Sequence, residues 1–202
     1  MPLKINKKHI LLVEGEDEIN FFDSYLKHLS IENIQVIAVG GKSNFKNKIP
    51  ELIRIPHFDE IEKIGLIKDA DTDFDAALAS IYDRLSDNDF SPIKQHNEFS
   101  KSNPSVGIFI MPGKNRDGEL EDLCLEAIDE HDKNLKCTNE FVECIKRYEP
   151  HLNKISKRKV QTFLSSQKKL CNSLGLGAQK EYWNFESAVY DDLKSFIEKL
   201  AK

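Results

Sequence analysis

The sequence predicts an α/β fold: a mainly parallel sheet of four strands, or slightly more, flanked by helices. Three observations predict it. Short branched apolar runs recur through the first half of the chain, and a helical apolar period follows each. Strands that alternate with helices in this way make right-handed crossovers. Acids also cluster where the apolar runs stop, the edge at which open α/β sheets bind ligands.

The first run, "HILLVE" (9–14), reads as a buried parallel strand. From Asp17 to Leu29, Ile19, Phe22, Leu26 and Leu29 keep helical spacing. "IQVIAVGG" (34–41) is a second strand closing on glycines, and "NFKNKIPELIRI" (44–55) is one or two short helices broken by Pro50. "KIGLIKDADTD" (63–73) is a third strand running into acids, followed by a helix over 73–86. A polar, mobile loop spans 86–104. "SVGIFIMPG" (105–113) is the fourth strand, and "GELEDLCLEAIDEH" (118–131) starts a helix. Beyond 135 the period is helical, over 138–148, about 156–174 and 187–200. Residues 1–134 therefore read as the α/β domain, and 135–202 as a helical extension packed on it.

Composition narrows the class. The chain has 202 residues, 40% hydrophobic and 31% charged, as expected of a globular protein. Its opening residues lack an apolar core segment and no run approaches a membrane span, so a cytoplasmic location without membrane association is expected. The four cysteines lack CxxC spacing and read as reduced, mostly buried thiols. The net charge of −5 argues against a general nucleic-acid coat, yet His151–Lys180 holds seven basic residues and no acid. Such a run marks either a polyanion-facing surface, with Lys154 and Arg158 as backbone contacts, or a solvated helix face.

The acids carry the chemistry. Glu14 ends the first strand with Glu18 one turn on; Asp69, Asp71 and Asp73 follow the third; Asp117, Glu119, Glu121 and Asp122 follow the fourth. With strand order 2-1-3-4 they meet at one sheet edge. So many carboxylates repel unless protons or cations offset them. Oxygen ligands with no nearby Cys or His favour Mg²⁺ or Mn²⁺, and paired ions are the usual clamp on a transferring phosphoryl group. Helix-dipole compensation accounts for Glu16 and Asp17 but explains Glu14 poorly, because Glu14 closes an apolar strand ahead of a glycine.

Gly40-Gly41-Lys42-Ser43 lacks the upstream glycine of a phosphate loop, so nucleotide hydrolysis is not expected, though Lys42 is placed to meet a phosphate. His9 reads as a sheet-edge residue, and Tyr182 and Trp183 as packing aromatics.

Strand-Glu14-Gly15, a central strand, then strand-Asp69-Ala70-Asp71 resembles the Toprim domain of topoisomerases, bacterial primases, ribosomal-RNA maturases and OLD (overcoming lysogenisation) nucleases. Over a longer span, "LLVEGEDEINFF", "GLIKDADTDFDAALASIYDRL", "GIFIMPGKNRDGELEDLCLEAI" and "FLSSQKKLCNSLGLGAQKEYWNF" resemble, in order, a small bacterial Toprim-like family of unknown function. The chain departs from that family at Ser165-Ser166, where Ala-Trp is usual, and at Gly113, where an acid usually follows the proline. The resemblance implies a Toprim/Rossmann-like sheet and a nuclease of DNA or RNA dependent on Mg²⁺ (or Mn²⁺). Catalysis would fall to Glu14, Asp69, Asp71 and Lys159, and metal binding to Glu14, Glu18, Asp69, Asp71, Asp73 and Glu121. The chain lacks the ATPase that accompanies Toprim in OLD-type proteins, so a separate ATPase or other protein partner is an expectation. Two alternatives stay open: a non-catalytic module that binds metal, nucleic acid or protein, and a small-molecule phosphohydrolase.

Overall fold

The computed structural model describes residues 4–41 and 44–202. Five strands form one sheet: β1 (His9–Val13), β2 (Ile34–Ala38), β3 (Lys63–Asp69), β4 (Glu98–Phe99) and β5 (Ser105–Met111), in the order β2-β1-β3-β5-β4. The four long strands are parallel; β4 pairs antiparallel on the edge. All five residues of β1 are buried, as an inner parallel strand covered on both faces requires. His9 therefore opens an inner strand, not an edge, and its ring is buried beside Asn33 and Glu62.

Between the strands run α1 (Glu16–His28), α2 (Phe45–Ile53) and α3 (Phe74–Ser86), and α4 (Leu120–Glu126) follows β5. Beyond them come α5 (Lys133–Tyr148), α6 (Ile155–Ser165), α7 (Leu174–Gln179) and α8 (Asp191–Ala201). One apolar layer sets α2 and α3 against Leu12, Leu66, Ile108 and Ile110. The other sets α1, α4, α6, α7 and α8 against Leu11, Val13, Ile67 and Phe109, so the C-terminal helices pack on the core. Gly65 of β3 makes room for α8: a Cβ there would stand 3.0 Å from Leu200 and 3.1 Å from Phe196.

Four expectations need correction. Pro50 lies inside α2 without breaking it. The region expected as one helix over 156–174 is two, because Ser165, Ser166 and Gln167 donate side-chain hydrogen bonds to the carbonyls of Thr162 and Phe163 and so end α6. The 86–104 loop contains β4, which two residues cannot announce by alternation. Finally, Cys124 is buried and Cys171 half-buried, but Cys137 and Cys144 are exposed on α5. No helix among the described residues is long and apolar enough to cross a membrane.

Candidate metal centre

In the parallel register β3 and β5 end level, with Asp69 opposite Met111, while β1 pairs with β3 as far as Leu12 opposite Leu66. Glu14, the first residue past β1, is 5% exposed, and its Oε1 accepts a hydrogen bond from the Asp69 amide at 3.4 Å. The Glu14 amide donates to Glu18 Oε2 at 2.9 Å, which folds the start of α1 back over the strand end. Asp69 Oδ1 accepts from the Leu120 amide at 3.1 Å, joining β3 to the first turn of α4. Asp71 sits at φ 54° and exchanges two backbone hydrogen bonds with Gly118, of 3.0 and 2.9 Å.

These contacts shape a cleft of about 430 Å³ lined by eight carboxylates (Glu14, Glu16, Asp17, Glu18, Asp69, Asp71, Glu119, Glu121) and two cations, Lys154 and Lys157. The imbalance has to be met by protons or bound cations. Oxygens of Asp69, Glu119 and Glu121 all lie within 4.8 Å of one another. Burial pushes the Glu18 carboxyl up to about 7; the Glu14 and Glu121 charges push the same way, against the Glu14 amide. Burial also raises Glu121, with Glu119 adding to the shift and Lys157 opposing it. No cysteine or histidine lines the cleft among the described residues, so its donor chemistry fits a hard divalent cation.

Two acids fasten the C-terminal helices to this cleft. Asp122 Oδ2 accepts from the Glu119 amide at 2.8 Å, while Oδ1 accepts from the Ser156 hydroxyl, which holds the first turn of α6 over α4. Asp17 accepts from the Ser173 hydroxyl at 2.5 Å and from the Gly175 amide at 3.1 Å, holding α7 against α1. A Cβ on Gly175 would lie 2.2 Å from the Asp17 carbonyl oxygen, so only glycine allows that approach.

Glu14, Glu18, Asp69, Asp71, Glu121 and Lys154 thus come together around one cleft. Asp73 does not join them: its carboxylate caps α3 by accepting from the Ala76 amide at 2.8 Å, and it borders a separate depression with Asp117. Lys159 is half-buried and, like Arg158, outside the cleft lining; the Arg158 guanidinium donates to the Asn153 carbonyl at 3.0 Å. Lys42 lies outside the described residues. Lys157, not a candidate from the sequence, joins the cleft from the first turn of α6, shortly after Lys154 at the helix N-cap. Trp183 is buried and donates to the Leu174 carbonyl at 2.9 Å, and Tyr182 donates to the Lys169 carbonyl at 3.0 Å, so both pack. A larger groove of about 750 Å³ runs between α1 and the turn after α7, but no acidic cluster converges on it.

The chain matches, over residues 8–202, the model of a family described as Protein of unknown function (DUF3226). No curated protein matches it. Among solved structures it is similar to the C-terminal region of the Xanthomonas campestris pv. campestris OLD protein phased with mercury. Identity there is 17%, with a TM-score of 0.41 over 96% of this chain and 95% of that one. The same region phased with platinum is 16% identical, with a TM-score of 0.40 over 96% and 94% of the two chains.

Proposed function

The chain belongs to the DUF3226 family, and we propose that within it this protein is a Mg²⁺-dependent (or Mn²⁺-dependent) phosphodiester-processing enzyme, a nuclease on DNA or RNA. One observation carries the reading. Three carboxylates from two elements bring oxygens within 4.8 Å of one another, in a cleft whose rim also carries Lys154 and Lys157. Carboxylates gathered this closely offer oxygen ligands to a hard cation, and lysines beside them offer charge to an anion. A phosphodiester bridged by a divalent ion satisfies both.

Asp69, Glu119 and Glu121 would hold the ion, with Glu18 and Asp71 beside them. A bound ion would polarise a phosphoryl oxygen and neutralise charge developing on it. The remaining work belongs to the chain. Glu14, buried against β3, takes or gives a proton at the reacting oxygen. Lys154 and Lys157 draw the polyanion backbone into the cleft. Lys157, whose charge acts on Glu121, directly follows Ser156, which is tied to Asp122.

The test is calorimetric titration of Mn²⁺ into wild type, Asp69→Asn and Glu121→Gln, alongside cleavage of supercoiled plasmid, single-stranded DNA and structured RNA. Either substitution should weaken Mn²⁺ binding at least tenfold and abolish cleavage. Undiminished Mn²⁺ affinity in both variants would refute the metal centre. Intact metal and nucleic-acid binding without cleavage would select a binding module, and turnover of mononucleotides alone a phosphohydrolase.

A further inference from the structure

Helix α5 has one buried face and a second, exposed stripe of apolar and cysteine side chains. Thr138 and Val142 are buried against the body of the protein. On the outer side Cys137, Phe141, Cys144 and Tyr148 follow one another at intervals of four, three and four residues. All four are exposed, Phe141 to 53% and Tyr148 to 80%. Single exposed apolar residues are ordinary on a surface. Four at this spacing along one helix have the alternating four–three period that a two-helix seam uses.

We propose that this face is a self-association surface, on which a second copy of the chain docks its own α5 antiparallel to the first. The charges beside the seam select both occupant and direction. When Cys137 is set opposite Tyr148 of the second copy, and Phe141 opposite its Cys144, the flanking positions bring Glu140 against Arg147 of the second copy. The two-fold axis repeats the pair in reverse. A parallel arrangement sets Glu140 beside Ile145, and Arg147 gains no acid. Glu143 and Lys146 are engaged with each other at 3.0 Å and stay outside the seam. The 16 residues of α5 give a contact about 24 Å long.

The register makes a geometric prediction. The two copies of Cys144 lie about 4–5 Å apart along the helix axis, and the two copies of Cys137 about 16 Å apart. In a Cys171→Ser background, a short bismaleimide should therefore link subunits through Cys144 when Cys137 is replaced by Ser. It should fail to link them through Cys137 when Cys144 is replaced. Sedimentation equilibrium of the full chain should show a dimer. Glu140→Arg or Arg147→Glu alone should weaken it about tenfold, and the double exchange should restore it. A monomer up to the solubility limit, a dimer indifferent to the charge exchange, or cross-linking through Cys137 would each overturn the proposal.

Discussion

Replacing Glu18 by Gln should make the metal-free protein more stable at alkaline pH while weakening its hold on Mn²⁺. Glu18 lies in the cleft with its carboxyl raised to about 7 from an ordinary 4.5, chiefly by burial. An acid raised in the folded state binds its proton more tightly there than in the unfolded chain. Its ionisation therefore removes stability as pH climbs from the unfolded value through the folded one. Two and a half units at about 1.4 kcal/mol each put the full loss at about 3 kcal/mol. Glutamine keeps an oxygen to accept the Glu14 amide but carries no charge. Wild type and variant should be equally stable near pH 4.5 and diverge to that figure by pH 8, roughly 6–12 °C in melting temperature for a chain of this size. Thermal denaturation in chelator across that range is the assay. A gap that does not change with pH, or a variant less stable at pH 8, would refute a desolvated carboxylate at this position.

Gly175→Ala, which drives a methyl group onto the Asp17 carbonyl, should cost about 3 kcal/mol, read as a lower urea midpoint. Asp192 accepts from His96 Nε2 at 3.0 Å, from the Lys114 amide at 2.8 Å and from Asn97 Nδ2 at 2.6 Å; the His96 bond above all holds its carboxyl well below the usual range. A depressed acid stabilises above its unfolded value of 3.8 and loses that contribution below it. The deficit of Asp192→Asn, about 2 kcal/mol at neutral pH, should therefore shrink as pH falls below 4. Lys157→Ala should flatten the salt dependence of nucleic-acid binding by about one unit of log–log slope. Arg158→Ala should leave that slope as it is.

The meeting of Glu14 with Asp69 was legible because apolar runs ending in acids mark strand ends, and the usual strand order 2-1-3-4, which the four parallel strands keep, sets those ends side by side. The role of Asp73 was not legible. An aspartate before a helix is both a common cap and a common ligand, and only the Ala76 amide decides between them. Choosing among the lysines of α6 needed the helix phase, which the Ser156–Asp122 contact sets across a gap of 34 residues. On α5 the sequence carries two stripes of helical period, Thr138 with Val142 and Cys137 with Phe141, Cys144 and Tyr148. Nothing local says which of them faces inward. Reading all four cysteines as mostly buried thiols from their lack of CxxC spacing therefore could not separate Cys137 and Cys144, which are exposed, from Cys124, which is buried.

The close approach at Gly65 bears on how the protein is made. When a ribosome has completed β5 at Met111, all the parallel strands exist, but the helix that settles onto Gly65 begins only at Asp191. Until then one side of the nascent sheet, with Ile67 and Phe109, is short of cover and open to mispairing or capture by chaperones. Cover of that face is thereby tied to the arrival of chain made well after the last parallel strand.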